Sequence, residues 1–220
     1  MTLQKNDFIE IDFTGKAKDG DIFDSNIKED IEKSKLKLEP KPFIFSLGQG
    51  MFLKGVDDFL IGKEIGEYDL ELQPENAFGK RDSKLVQIIP MKIFHQQKIN
   101  PFPGAVFNFD GKIARIISVS GGRVMTDFNN PIAGKIVNYK IKVKRKIEDK
   151  KEKVKSFINF LFKQDLDFEI KDTQKGTSKK LIIKTPKQFA QFVPMFKEKF
   201  KEMFDLELEV KEIEEKSKAE

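Results

Sequence analysis

Few residue types in this chain could carry out bond-making chemistry. There is no Cys and a single His, His95. Thiolate chemistry, disulfides and Cys-based zinc are therefore excluded, and a His-cluster metal site is too. A His-based triad has one candidate base. No Gly-rich loop ends in Lys-Ser or Lys-Thr, no Gly-x-Gly-x-x-Gly follows a strand, and no Gly-x-Ser-x-Gly elbow occurs. With 36 acidic residues, two adjacent carboxylates carry no signal. What remains is a set of aromatic and aliphatic side chains around one acid: Phe13, Asp24, Phe43, Phe52, Leu53, Val56, Phe78 and Tyr139. On periodicity alone, this set reads as an ordinary core with one satisfied Asp.

Composition bounds the rest. A length of 220 residues fits one or two domains. The chain is 35% charged and 39% hydrophobic, which suits a globular protein and not a wholly disordered one. A net charge of +5 comes from 41 basic and 36 acidic residues, a mixed-sign surface that gives no case for a nucleic-acid partner. Phe numbers 22 against 2 Tyr and no Trp. The bland reading is compositional drift; the sharper one is an adhesive apolar binding surface. Charges at Lys5, Asp7, Glu10 and Asp12 leave no apolar signal core, and no apolar run approaches a membrane span. The expectation is a cytoplasmic protein with no membrane partner.

The elements that must position these residues follow from periodicity. Asp7–Gly15 alternates as a half-buried strand, and Asp19-Gly20 signals a tight turn into a second strand at Ile22-Phe23-Asp24. Ser25–Lys41 is a charged excursion with a helical turn or two. Phe43–Leu47 is a strand, residues 55–62 form a short helix bounded by glycines, and Glu67–Leu72 is again a strand. From Lys84 to Asn130 the pattern changes. A short helix lies within Pro90–Phe94, and three short strands form a meander through turns at Asp110-Gly111 and Gly121-Gly122. Such a unit is small enough to need support from another domain. Lys135–Ile147 alternates, with Lys140, Lys142, Lys144 and Lys146 as a solvated comb. The tail reads helix–strand–strand–helix–strand, a small α+β domain. Its second helix, Gln188–Phe204, repeats Phe189, Phe192, Phe196, Phe200 and Phe204 on one face, and Pro194 inside it should kink it or end its first part. That stripe is expected to pack on the tail's own strands, and a homodimer through the tail is the alternative. Lys216–Glu220 should fray.

At these residues the chain resembles a family. Asp19-Gly20-Asp21-Ile22-Phe23-Asp24-Ser25 is similar to the DG-x-x-FDS segment of FKBP-type peptidyl-prolyl cis-trans isomerases. Lys41–Gly48 with Phe52-Leu53-Lys54-Gly55-Val56-Asp57 resembles their PF-x-F-x-LG…V-I-x-G-x-E core, and Glu75–Gly79 their AYG loop. Gly122-Arg123-Val124 with Asp127–Gly134 resembles GRV-x-x-DFNHPLAG, the mark of the SlyD-like branch, in which a chaperone insert interrupts the FKBP domain. The tail is similar to the extra C-terminal domain of long archaeal members.

The resemblance implies an α+β fold: an antiparallel FKBP half-barrel sheet around a short helix, an inserted small all-β domain and a C-terminal α+β domain. The implied domains are 1–83 with 130–147, 84–129, and 148–220. It implies that Phe13, Asp24, Phe43, Phe52, Leu53, Val56, Phe78 and Tyr139 line the isomerase pocket. It further implies that the insert binds unfolded chains, with Ile88, Ile93, Phe94, Phe102 and Phe107 as its contacts. The implied partners are unfolded or nascent proline-containing polypeptides. No cofactor is implied, and without a His-rich tail no metal. Phe13 and Phe78 stand where many members have Tyr, and Val56 where single-domain members have Trp. The missing hydroxyls motivate an alternative: an FKBP-fold binding module with little isomerase activity.

Overall fold

The computed structural model describes residues 2–18, 20–34, 36–109, 111–172 and 179–213. The turns read at Asp19-Gly20 and Asp110-Gly111 each include a residue outside that set, and the frayed end at Lys216–Glu220 lies wholly outside it. In chain order the elements are β1 (Phe8–Ala17), β2 (Ile22–Ser25), α1 (Lys28–Ser34), β3 (Phe43–Ser46), α2 (Lys54–Leu60), β4 (Glu67–Leu72), β5 (Val86–Pro90) and α3 (Met91–Gln96). They continue with β6 (Val106–Phe109), β7 (Lys112–Ser120), β8 (Arg123–Asp127), β9 (Val137–Lys146), α4 (Lys150–Phe162), β10 (Phe168–Asp172), β11 (Lys179–Pro186), α5 (Lys187–Ala190), α6 (Lys197–Phe204) and β12 (Leu206–Ile213). This is a mixed α+β chain with mostly antiparallel sheets. Among the described residues, no helix is long and apolar enough to cross a membrane.

The chain forms two compact units: Met1–Thr14 with Ser25–Tyr68 and Lys140–Glu220, and Gly15–Asp24 with Asp69–Tyr139. The five-stranded sheet has the order β2-β1-β9-β4, with β3 paired to β1. Strands β1, β4 and β9 each contribute residues to both units.

In the first unit, β3 runs antiparallel to β1, with Phe8 opposite Ser46 and Ile11 opposite Phe43. Residues Phe8, Ile9, Ile11, Phe45, Leu47, Val56, Leu60, Ile141 and Val143 are buried. The lysine comb on β9 is solvated as its alternation requires, with Lys142 against Glu67 and Lys144 against Glu10 and Asp12. The tail belongs to this unit. Asp149 caps α4 by accepting the N–H of Glu152 at 2.7 Å. The tail's three strands form a second sheet, β10-β11-β12, with β11 and β12 parallel. A parallel pair needs a long crossover, which Lys187–Phe204 supplies. The crossover is broken into α5, a 3-10 turn over Val193–Phe196, and α6, not one kinked helix. Pro194 at the start of that turn has no N–H to continue α5.

Nor does the tail's aromatic stripe pack only on its own strands. Phe200 and Phe204 meet Phe157 of α4, and Phe204 lies 5.6 Å from Phe8 of β1. Phe192 remains exposed.

In the second unit, four strands in the order β5-β8-β7-β6 form an antiparallel sheet, one strand more than the sequence suggests. The extra strand β5 ends at Pro90, which pairs with Arg123. Phe94 of α3 packs with Ala105, Ile116 and Val124 into a small core. At its base Asp127 pairs with Arg81, and Asn129 bonds both Asp127 and the backbone of Asp82. These bonds tie the two connecting segments together.

Candidate active site

In the first unit, the chain brings four rings together. Phe13 lies 5.4 Å from Phe43 and 5.0 Å from Phe52, and Phe43 lies 5.1 Å from Phe52. Phe45 stacks on Phe43 at 5.4 Å and reaches Phe52 at 5.5 Å. Strand alternation sends Phe13 of β1 to its face, and the β1–β3 register sets β3 beside it. Phe52 comes from the loop between β3 and α2. Leu53 is the N-cap position of α2, and Val56 is fully buried in its first turn.

Phe13 is held by its backbone. Its N–H donates to Asn26 Oδ1 at 2.7 Å, and its carbonyl accepts the Ser25 hydroxyl at 2.9 Å. Asn26 Nδ2 also donates to the carbonyl of Ile11, and Thr14 bonds both Ser25 and Asp30. None of these polar residues stood out in the sequence. The available signal was the polar pair Ser25-Asn26 directly after an apolar strand, which suits side-chain bonding to backbone.

A cleft of about 740 Å³ opens on this unit between β3 and α4. It shares Phe43 and Phe45 with the ring cluster, but charged side chains such as Lys41, Arg145 and Asp165 line much of it. Apolar amide chemistry suits the ring cluster and not this cleft.

In the second unit, Phe23 gathers the other candidates. Its ring meets Phe78 edge-on at 5.4 Å and Tyr139 edge-on at 5.9 Å. Tyr139 is buried on β9, and burial together with the Asp24 carboxylate pushes its phenol far above the ordinary value. Tyr139 therefore stays protonated and can only act as a neutral hydroxyl. Gly15 makes room for it: a Cβ there would sit 2.8 Å from Tyr139 Cζ.

The inserted sheet has two faces. Ile116, Val124 and Ala105 face Phe94, with Ile89, Phe107, Phe109 and Val119 packed around them. The other face carries Ile88, Val106, Ile113, Ile117 and Met125, all exposed. Ile88 stands opposite Met125, and a bulge lies between Ile116 and Ser118. The extra residue, Ile117, lets Ile116 and Val119 both reach the core while Ile117 stays on the open face. Of the five contacts inferred for the insert, Ile88, Ile93 and Phe102 are exposed at 59%, 41% and 60%. Phe94 is instead the centre of the core, with no exposed surface, and Phe107 packs edge-on against it. Ile113, Ile117 and Met125 escaped the sequence reading because the bulge breaks the alternation that would have sorted them.

These features have relatives. Residues 1–97 match the family model described as FKBP-type peptidyl-prolyl cis-trans isomerase, and residues 87–132 match one described as FKBP26, IF domain. The chain is similar to the short-type peptidyl-prolyl cis-trans isomerase of Methanocaldococcus jannaschii, 32% identical over 146 residues, which span 64% of this chain and 92% of the relative. It is 28% identical over 148 residues to the FKBP-type 16 kDa peptidyl-prolyl cis-trans isomerase of Escherichia coli, covering 64% of this chain and 92% of that one. It is 25% identical over 139 residues to the FKBP-type isomerase SlyD of Aeromonas hydrophila, covering 62% of this chain and 60% of the relative. The chain belongs to the FKBP-type peptidyl-prolyl cis-trans isomerase family.

Proposed function

We propose that this protein accelerates X–Pro isomerisation in unfolded or nascent polypeptides and holds those chains on its inserted sheet. The observation that carries the first part is the ring cluster of Phe13, Phe43 and Phe52 in a chain of this family. A nucleophile is not part of that cluster. The reaction needs none. An X–Pro bond turns over tens to hundreds of seconds because amide resonance must be broken. An apolar surface disfavours the polar planar amide relative to the twisted one, which is differential stabilisation of the transition state. Leu53 and Val56 belong to the same assignment. Asp24, Phe78 and Tyr139 are assigned to substrate contact, with Asp24 orienting its surroundings and taking no part as a nucleophile.

The holding activity is supported by the open face Ile88–Met125 with Ile113, Ile117 and Val106, and by Phe102 and Ile93 beside it in sequence. An open sheet face rich in exposed apolar side chains, with Arg115 and Asn108 among them, suits extended apolar segments of varied sequence. Capture there raises the local concentration of client prolines.

The test is the rate of proline isomerisation in a protease-coupled peptide assay and in a proline-limited refolding reaction. The intact chain should accelerate both, and Phe52→Ala should slow both. Phe78→Tyr, which restores a hydroxyl, should raise peptide turnover about fivefold, the equivalent of one hydrogen bond of about 1 kcal/mol. An uncatalysed rate in both assays, with aggregation of an unfolded client still suppressed, would leave the binding module as the correct reading.

A further inference from the structure

Phe78 and Tyr139 meet the same ring, Phe23, edge-on at 5.4 and 5.9 Å. Between them the chain runs out into the four-stranded sheet and back. So long a loop does not set their spacing by itself, because closing it costs entropy. The spacing is set where the outgoing and returning segments run side by side. Beyond the pair Val86 and Asp127, at the end of the sheet, three contacts join those segments. The first is made by Asn129, which is 7% exposed. Its Oδ1 accepts the N–H of Asp82 at 2.8 Å and its Nδ2 donates to the carbonyl of Asp82 at 3.0 Å, so one side-chain amide takes up both backbone groups of one residue. The same Nδ2 donates to Asp127 Oδ1 at 2.7 Å, and Asp127 Oδ2 accepts from Arg81 Nη2. The second contact is the stem of Arg81 against Gly134, where a Cβ would come within 3.1 Å of Arg81 Cγ. The third is the N–H of Gly134, which donates to the carbonyl of Gly79 at 2.8 Å. Gly79 directly follows Phe78, and its own N–H closes on the carbonyl of Pro74 at 2.7 Å.

We propose that Asn129 is a positioning residue for the isomerase: together with Arg81 it clasps the segment after Phe78 to the segment before Tyr139, and so fixes the two side chains on either side of Phe23. This rests on the reading of Phe78 and Tyr139 as substrate contacts. The position requires an amide. A donor and an acceptor must leave the same planar group to meet the Asp82 carbonyl and N–H, and the donor must also serve the Asp127 carboxylate. A carboxylate at this position keeps the bond from the Asp82 N–H, loses both Nδ2 bonds and sets a second negative charge against Asp127. Arg81 contributes differently. A single Nη2 meets Asp127, so its charge matters there and its planar fork does not. With the clasp open, Phe78 and Tyr139 keep their own elements but lose their common setting, and a substrate amide between them is no longer held in one geometry.

The experiment compares the full chain with Asn129→Asp, Arg81→Ala and Arg81→Lys, at neutral pH and well below the melting range of each. It reads kcat/KM on a proline peptide and the ring proton resonances of Phe78, which report its edge-on contact with Phe23. In Asn129→Asp the Phe78 resonances should move towards those of an unpacked ring, and kcat/KM should fall about tenfold. Arg81→Ala should move both readouts in the same direction, and Arg81→Lys should recover most of each. A purely structural role would lower the melting temperature and leave both readouts native in the folded protein. Native Phe78 resonances, or native turnover, in folded Asn129→Asp therefore overturn the proposal. If Asn129→Asp does not fold, the same outcomes in Arg81→Ala overturn it. If the native chain itself does not turn over proline peptides, the isomerase reading fails, and the Phe78 resonances still decide whether Asn129 sets that ring.

Discussion

The Ser156 hydroxyl on α4 donates to the carbonyl of Ile44 on β3, so a tail helix grips the strand that carries Phe43 and Phe45. Two further contacts join the tail to β1, the strand that pairs with β3. Arg145 bridges Glu10 of β1 and Glu152 of α4, and Phe204 covers Phe8.

The first prediction follows from that grip. A chain ending at Glu148 would uncover Phe8, which is 2% exposed in the intact protein. Burying such a ring is worth about 2–3 kcal/mol. Urea denaturation should show a lower midpoint by at least that equivalent, and peptide turnover should fall with it because β3 is loosened. Ser156→Ala alone should cost about 1 kcal/mol. An unchanged midpoint in the shortened chain would mean that the tail is an independent appendage.

The sequence alone made much of this legible, and the exceptions share a cause. Strands β4 and β9 show plain alternation because each has one buried face. Strand β1, expected to be half-buried, is buried on both faces: its polar residues Glu10 and Thr14 are covered too and are satisfied by Arg145 and by Ser25 and Asp30. Phe13, Phe43 and Phe52 could be grouped only through the family likeness, since rings distant in sequence leave no periodic trace of their meeting. Asn26 bonds the backbone of Phe13 and Ile11, and such bonds have no side-chain pattern to betray them. Over Gln188–Phe204 the apolar period runs through Pro194, which predicts a kink or an end to the helix's first part; the structure takes the second, with α5 stopping at Ala190 and a 3-10 turn starting at Val193. Phe94, expected among the client contacts, lies on a helix of six residues, too short for its period to assign its faces.

Single substitutions distinguish the core of the four-stranded sheet from the surface proposed to hold clients. Phe94→Ala should destabilise the inserted sheet by about 3–5 kcal/mol, the cost of emptying a buried aromatic site. Ile88→Asp with Met125→Asp should leave thermal stability within about 1 kcal/mol, because both side chains face solvent. The same pair should abolish suppression of client aggregation measured by light scattering, and should spare turnover of short peptides. Equal loss of both activities would show that the open face is not a separate client site.

Gly15 tests the setting of Tyr139. A methyl group at Gly15 would meet Tyr139 Cζ at 2.8 Å and the hydroxyl oxygen at 3.0 Å, so the ring must shift. Gly15→Ala should cost about 1–3 kcal/mol through overpacking. It should also lower kcat/KM on proline peptides more than Phe94→Ala does, since Tyr139 is assigned to substrate contact. Turnover equal to native in a folded Gly15→Ala protein would remove Tyr139 from the site.

Asp57 is a buried acid, and the sign of its contribution to stability can be worked out. Its folded-state value is raised from the ordinary 3.8 to about 6, chiefly by burial. Between those two values the folded chain holds a proton that the unfolded chain has released, so stability falls as pH rises through that window and levels off above it. The full change is about 3 kcal/mol for this one group. Asn at this position carries no charge to desolvate. The stability of the native chain minus that of Asp57→Asn should therefore fall by about 3 kcal/mol between pH 3.5 and 6.5, read from urea midpoints at each pH. At neutral pH the substituted protein should be the more stable of the two, because burial penalises the ionised carboxylate and not the amide. A stability difference that does not change with pH would show that the Asp57 carboxyl titrates alike in the folded and unfolded chains, and burial would then not be what governs it.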